Sequence, residues 1–214
     1  MDDRLKAPEG RFQSQRRLLS SDDPKSAISD QKSKMAMPTA NELKNQGLEH
    51  YRAGRFEDAI AAFALAQQAF LAESDVKQAA ESANDRGVAA RQAARFDEAE
   101  AAFADARRLF AESGDQAAQG QVLGNLGALA ESRNQNDQAA SLYKEAIALF
   151  EASGAADLEA ETWRALSRLR MKQGQWFAAL GAYDAGLTSV KHLSPTQRIL
   201  RRLLKTSRRL LGGG

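Results

Sequence analysis

Cysteine is absent from this chain of 214 residues, and histidine occurs only twice, as His50 and His192. Without cysteine there is neither a disulfide framework nor a reactive thiol. The two histidines lie far apart in the sequence, and no Gly-rich phosphate loop, metal-ligand spacing or Gly-x-Ser-x-Gly motif is present. Because catalysis needs a base, a nucleophile or a ligand set held together, we expect no catalytic residues, no metal and no other cofactor.

Aromatic residues and long apolar runs are also scarce. Only 7% of the residues are aromatic, although 43% are apolar. This balance, dominated by alanine, suits thin helices packed through small residues better than one thick core. No apolar run approaches the roughly 18–20 residues that a membrane-spanning helix needs. The start, Met1-Asp2-Asp3-Arg4, lacks the basic and apolar parts of a secretion signal, and we expect a cytoplasmic protein.

Charge is unevenly distributed, although the formal net charge is only +2. Residues 41–194 contain 16 Lys and Arg against 22 Asp and Glu. Residues 195–214 contain six Lys and Arg and no acidic residue. An acidic body with a basic C-terminal tail indicates an interaction surface at the tail.

Small residues repeat along the chain at an interval of 40 residues. The repeat is marked by four alanines: Ala59, Ala99, Ala139 and Ala179. Each alanine is followed four residues later by an aromatic residue: Phe63, Phe103, Tyr143 and Tyr183. Each is preceded, twelve residues earlier, by a small residue: Gly47, Gly87, Gly127 and Ser167. A fixed period of this size is typical of stacked helical units.

Helical spacing of the apolar residues predicts eight helices that pair into four hairpins. The first runs from a capping Thr39, paired with Glu42, to the turn at Gly54. The others are predicted at about 56–73, 79–93, 97–112, 119–133, 137–152, 159–173 and 176–192. Gly114 and Gly154 are predicted to end helices in the left-handed conformation. Small residues let paired helices approach to about 8–10 Å, so we expect Gly47 to meet Ala59 at a crossing.

This pattern resembles the tetratricopeptide repeat. Two segments match the first half of that motif: Trp163-x-x-Leu166-Ser167 and Leu123-x-x-Leu126-Gly127. Its second half is matched by Ala139, Tyr143 and Ala146. The resemblance covers residues 39–193, with repeats at 40–73, 80–113, 120–153 and 160–193. It implies an all-α, right-handed α-solenoid of four hairpins followed by a C-terminal capping helix.

The period departs from the usual one of this family. The proline that normally ends the second helix is replaced by Leu71, Ala111, Glu151 and Lys191. Without that proline the second helices can extend, which accounts for a long-period, 40-residue member of the family. HEAT repeats share this length, but the order of the small residues favours the tetratricopeptide repeat.

The two flanking segments differ in character. Residues 1–38 have little helical or strand periodicity and predict a mostly disordered N-terminal arm, with at most a transient helix around Phe12–Leu19. The alternative is that translation starts at Met35 or Met37 and the arm is not part of the protein. Residues 194–214 predict a basic amphipathic helix, started by Ser194 and Pro195, with a glycine tail. Its candidate partner-binding cations are Arg198, Arg201, Arg202, Lys205, Arg208 and Arg209.

Three interpretations of the C-terminal helix remain open. In the favoured one, its leucines cap the open end of the last hairpin. In the second, its cations dock to an acidic protein surface or to nucleic acid. In the third, the helix lies on an anionic membrane surface. We regard nucleic acid and membrane as the less favoured partners.

The resemblance further implies that the first helices of the hairpins line a groove. The candidate groove residues are Lys44, Asn45, Tyr51, Asn84, Arg91, Asn125, Arg164 and Arg168. The asparagines can bond a peptide backbone and the arginines can bind carboxylates. Relatives that clamp the acidic C-terminus of a chaperone use a lysine and asparagine set that is not kept here. Asp85 would repel that carboxylate, so this specificity is disfavoured.

Together these observations predict a non-catalytic scaffold or adaptor that binds a peptide or helix of a protein partner in the groove. The alternative is a structural subunit of a larger complex, docked through the basic C-terminal helix and the N-terminal arm. A small-molecule substrate is not expected in either case.

Overall fold

The computed structural model of the chain describes residues 38–190 and 194–210, and these residues form nine α-helices. The helices are α1 (Ala40–Arg52), α2 (Phe56–Ala72), α3 (Val76–Gln92), α4 (Phe96–Ser113), α5 (Gln116–Ser132), α6 (Asn136–Ser153), α7 (Ala156–Lys172), α8 (Trp176–Ser189) and α9 (Pro195–Leu210). The predicted N-terminal arm, apart from Pro38, and the glycine tail lie outside the described residues.

Helices α1 to α8 form four consecutive hairpins. Each helix packs against the next one in the chain, and α5 also contacts α3 and α7. The second helices begin at Phe56, Phe96, Asn136 and Trp176, so their starts are 40 residues apart. The prediction of an all-α solenoid of packed helical hairpins is confirmed. Its first helices, α1, α3, α5 and α7, are adjacent to one another and carry the site described below.

Two kinds of predicted helix boundary are confirmed. At the start of α1, the Glu42 N–H donates to Thr39 Oγ1 at 3.3 Å and the Thr39 N–H donates to Glu42 Oε2 at 2.8 Å. At the ends of α4 and α6, Gly114 and Gly154 have φ of 69° and 72°. Glycine tolerates this left-handed conformation because it has no Cβ.

Three first helices begin earlier than predicted. Helices α3, α5 and α7 start at Val76, Gln116 and Ala156, three residues before the predicted positions 79, 119 and 159. The reason for α3 and α5 is an aspartate cap. The side chains of Asp75 and Asp115 accept hydrogen bonds of 3.0 Å from backbone N–H groups in the first turn. These caps satisfy N–H groups that have no partner within the helix, so the helix extends back to them.

The core of each of the first three hairpins is an aromatic ring packed on a glycine. A Cβ added to Gly47 would lie 2.6 Å from the ring of Phe63, and one added to Gly87 would lie 2.5 Å from the ring of Phe103. Gly127 meets the ring of Tyr143 in the same way, at 2.7 Å. The neighbour nearest to the Gly47 Cβ position is thus Phe63, rather than the expected Ala59. The ring itself fills the space above the glycine.

The last helix, α9, begins as predicted but leaves apolar side chains uncovered. The Gln197 N–H donates to Ser194 Oγ at 3.2 Å, and the Ser194 N–H donates to Gln197 Oε1 at 2.8 Å. Helix α9 contacts α8. Ile199 and Leu203 are nevertheless 60% and 61% exposed, so these two residues do not cover the fourth hairpin.

Candidate functional site

The first helices are joined to one another by polar side chains that share one face, which we call the first-helix face. Gln92 Nε2 donates to Tyr51 Oη at 3.4 Å, linking α3 to α1. Helices α5 and α3 are linked by Asn125 and Asn84, and α7 is linked to α5 by Lys172 and Glu131. All three bonds connect residues that are 41 positions apart. The regular offset shows that the same side of each first helix faces its neighbour.

In the N-terminal half of this face, the predicted binding residues bond to the protein itself. Lys44 Nζ donates to Glu81 Oε2 at 2.6 Å and to Gln78 Oε1 at 2.8 Å, and its side chain is only 16% exposed. Asn125 Nδ2 donates to Asn84 Oδ1 at 2.8 Å, which uses part of the bonding capacity of both amides. These groups hold neighbouring hairpins together.

Asp85 lies in the same region and has a raised pKa. Burial raises its pKa from 3.8 to about 6, because a carboxylate loses hydration when it leaves water. The nearby Lys44 ammonium lowers the pKa, and Glu81 raises it. Because Glu81 offsets part of the attraction of Lys44, the negative charge of Asp85 is only partly compensated. This half of the face is structural and locally acidic.

The C-terminal half opens into a cleft of about 530 Å³ between α5 and α7. Its floor is formed by Tyr143 and Phe150 of α6. Its walls are Gln121, Gly124, Asn125 and Ala128 of α5 and Leu158, Glu161, Thr162, Arg164, Ala165 and Arg168 of α7. A Cβ placed on Gly124 would meet no atom within 4 Å. The cleft is open at this point because α5 carries a glycine where α3 carries Asn84 and α7 carries Arg164, in the 40-residue register.

Arginines dominate the charge in and beside this cleft. Arg164 and Arg168 are both exposed and stand one helical turn apart on α7. Tyr143 Oη donates to Glu131 Oε1 at 2.7 Å, and Glu131 also accepts from Lys172. Burial, then this bond to Glu131, raises the pKa of Tyr143, while the charges of Arg168 and Arg91 oppose the rise. These charges place both arginines near the Tyr143 hydroxyl.

Arg91 adds an unsatisfied donor to this cluster. Its Nε is shielded from solvent and has no hydrogen-bond partner within the described residues. A guanidinium group is always charged and prefers a carboxylate or phosphate as its partner. The surroundings of Tyr143 therefore favour an anionic group entering the cleft.

The structure brings together some of the predicted groove residues and separates others. Asn125, Arg164 and Arg168 line the cleft. The positive charge of Arg91 acts on the hydroxyl of Tyr143, which forms part of the cleft floor. Asn45 is exposed on α1, and Tyr51 packs its ring 5.6 Å from that of Phe56. Sequence reasoning missed the cleft residues Gln121, Gly124, Glu161 and Thr162. Gly124 carried a usable signal, because it stands in register with Asn84 and Arg164.

The candidate cations of α9 are described only in part. Arg198 and Arg202 are exposed and Arg201 is half-buried. The side chains of Lys205, Arg208 and Arg209 lie outside what the structure describes.

Two glycines of α5, three residues apart, should respond oppositely to alanine. Gly124→Ala fills open space and removes a flexible residue from a helix, so we expect a gain of about 0.5–1 kcal/mol in the free energy of unfolding. Gly127→Ala pushes a methyl group into the Tyr143 ring, so we expect a loss of about 1–3 kcal/mol. Urea unfolding of the two variants measures both. Equal changes in the two would contradict the assigned positions.

The described residues contain neither a cluster of metal ligands nor a membrane-spanning helix. No group of three or more His, Asp or Glu side chains there is placed to hold a metal ion. No helix in the described ranges is both long and apolar enough to cross a membrane.

Comparison with known proteins agrees with this fold. Residues 78–152, which extend from α3 into α6, match the sequence model of the family described as tetratricopeptide repeat. The chain is similar to the crystal structure of BtubC (BKLC) from P. vanneervenii, with a TM-score of 0.61 and 21% identity over 73% of this chain and 66% of that one. This chain thus spans just under two thirds of that protein, and at this identity the likeness concerns the fold alone.

A second solved structure is similar over a smaller fraction of its own length. It is the APC/C hetero-tetramer Cut9–Hcn1, with a TM-score of 0.41 and 16% identity over 89% of this chain and 40% of that one. No curated protein sequence shows a significant match. Residues 78–152 therefore contain tetratricopeptide repeats, and the packed hairpins before and after them have the same helical architecture. Such repeats are generally non-catalytic scaffolds for protein interactions.

Proposed function

We propose that the protein is a non-catalytic adaptor that binds an acidic segment of a protein partner in the cleft between α5 and α7. The observation that carries this proposal is the pair of exposed arginines, Arg164 and Arg168, on the wall of a 530 Å³ cleft. An extended peptide or one side of a helix fits a cleft of this size. Its backbone can bond Asn125, and its carboxylates can bond the guanidinium groups.

The N-terminal half of the first-helix face contributes less to binding. Lys44, Asn84 and Asn125 bond within the protein, so only the remaining amide groups of Asn84 and Asn125 are offered to a ligand. The partly compensated Asp85 disfavours a carboxylate nearby. We therefore expect the acidic part of the ligand to lie beside α7 and the rest to run toward α3.

Charge reversal in the cleft tests this function. We expect Arg164→Glu combined with Arg168→Glu to weaken binding of selected acidic peptides by at least about tenfold, since each lost hydrogen bond to a charged group is worth about 1.5–3 kcal/mol. Peptides are selected from a random library on the immobilised wild-type chain, and their affinity is measured by fluorescence polarisation. The matched control is Arg107→Glu with Arg108→Glu, a pair of exposed arginines on α4 outside this cleft.

Two outcomes would contradict the proposal. One is selection of peptides without acidic residues, and the other is equal binding by the cleft variant and its control. Removal of residues 195–214 distinguishes this proposal from the alternative, in which the protein is a subunit docked through α9. An adaptor should keep its peptide affinity after this deletion, whereas a docked subunit would lose its partner.

A further inference from the structure

Exposed hydrophobic residues are concentrated at one end of the described protein. Among the side chains that the structure describes, in residues 38–190, 194–199 and 201–203, eight large hydrophobic ones are exposed, and six of them lie between residues 171 and 203. All six belong to the fourth hairpin or to α9, and we call them together the C-terminal surface: Met171, Trp176, Phe177, Leu180, Ile199 and Leu203. The remaining two, Leu65 and Leu71, are on α2. Apolar exposure on this scale indicates a binding surface.

The repeat register shows how this surface differs from the interior of the array. Arg133 of the third hairpin donates to Asp97 and Glu100 of the second, both at 2.5 Å. The residues that stand 80 positions after these two acids are Phe177 and Leu180. Phe177 is 83% exposed. The fourth hairpin therefore presents two apolar side chains where the second hairpin presents two acids to its successor.

The charge of this end is strongly positive. Residues 170–210 contain nine Lys and Arg and a single acidic residue, Asp184. Six of these cations are in α9, whose exposed Ile199 and Leu203 stand one turn apart on one side. These two side chains are not buried against the fourth hairpin. A basic helix with at least these two apolar side chains facing outward has the features of a helix that binds at a membrane surface.

We propose that the C-terminal surface lies on an anionic lipid bilayer. A bilayer supplies both an apolar layer for the exposed side chains and negative headgroups for the surrounding cations. It also needs no matching shape, which suits side chains that project from two different helices. Tryptophan is favoured at such an interface, where Trp176 would sit beside Phe177. This inference departs from the sequence-based preference for a capping helix because Ile199 and Leu203 are exposed.

Vesicle sedimentation tests the proposal with the full chain. We expect binding to vesicles of phosphatidylcholine mixed with phosphatidylserine, little binding to phosphatidylcholine alone, and release as salt is raised. Ile199→Asp combined with Leu203→Asp should lower the partition coefficient by at least about tenfold, because two apolar side chains no longer enter the bilayer. The matched control, Leu65→Asp with Leu71→Asp, changes the two exposed leucines of α2 and should bind like the wild type.

Trp176 provides a second readout. The chain has two tryptophans, and Trp163 is half-buried in α7, so a Trp163→Phe variant reports on Trp176 alone. We expect its emission to shift to the blue on phosphatidylserine vesicles and to be quenched by brominated lipid. The cleft variant with Arg164→Glu and Arg168→Glu should still bind vesicles, so the two proposals can fail separately. No binding to anionic vesicles at low salt, or equal binding by the Ile199/Leu203 variant, overturns the proposal and assigns the surface to a protein partner.

Discussion

Truncation of Phe103 to alanine should lower the free energy of unfolding by about 3–5 kcal/mol. Phe103 is completely buried, and its ring fills the space above Gly87 in the second hairpin. The loss has two parts, the transfer of the ring from an apolar environment and the cavity that remains. Because neighbouring hairpins pack on both sides of the second one, the helices have little freedom to close that cavity.

Urea unfolding followed by far-ultraviolet circular dichroism measures this loss. The control is Leu65→Ala, which removes an exposed side chain and should change the free energy of unfolding by no more than about 0.5 kcal/mol. Because the stability of a repeat array sums units and their interfaces, an interior defect should affect the whole transition. A loss below about 1 kcal/mol for Phe103→Ala would show that the ring is not the core of this hairpin.

Replacing Asp85 with asparagine should stabilise the protein at neutral pH by about 2 kcal/mol. The pKa of Asp85 is raised to about 6 in the folded protein, from a value of 3.8. The folded state therefore holds this proton more tightly than the unfolded state does. The contribution of the neutral carboxyl is fully present below about pH 4 and is lost as the pH rises through 6. A shift of this size corresponds to about 3 kcal/mol, and this value already includes the attraction of Lys44. We expect about 2 kcal/mol because Asp85 is only half-buried and solvent screens its charge.

The pH dependence of unfolding isolates this effect. The difference in stability between Asp85→Asn and the wild type should be small near pH 4, grow between pH 4 and 6, and be constant above that. An asparagine variant that is less stable than the wild type at pH 7 would mean that the ionised Asp85 is well solvated or well paired.

The hairpins were predictable because their determinants are local and repeated. The spacing of Gly87, Ala99 and Phe103 recurs in the neighbouring repeats, so each instance supports the others. Helix starts were less predictable. The segment Ser113-Gly114-Asp115 has the composition of a turn, yet its last residue caps α5 by bonding to the Ala118 N–H. Both a turn and a cap favour aspartate, so composition alone does not separate them.

For the candidate site, the sequence predicted only which face of each helix carries the polar residues. The sequence shows which side of α3 and α5 is polar, but the bond between Asn84 and Asn125 depends on an offset of 41 residues between neighbouring helices. Such an offset is set by how whole hairpins pack, and no local pattern encodes it. The exposure of Ile199 and Leu203 depends in the same way on where α9 meets α8.

The contact between Arg133 and the acids Asp97 and Glu100 bears on how this array can change in length. A duplicated second hairpin inserted after the original would bring its own acids for Arg133. The original acids would then face the duplicate's Arg95-bearing turn, as Glu57 does now. A hairpin appended after α8 would find Phe177 and Leu180 instead of acids. Duplication of a hairpin in the middle of the array would therefore preserve these ion pairs between hairpins. A hairpin added at the C-terminal end would lack them.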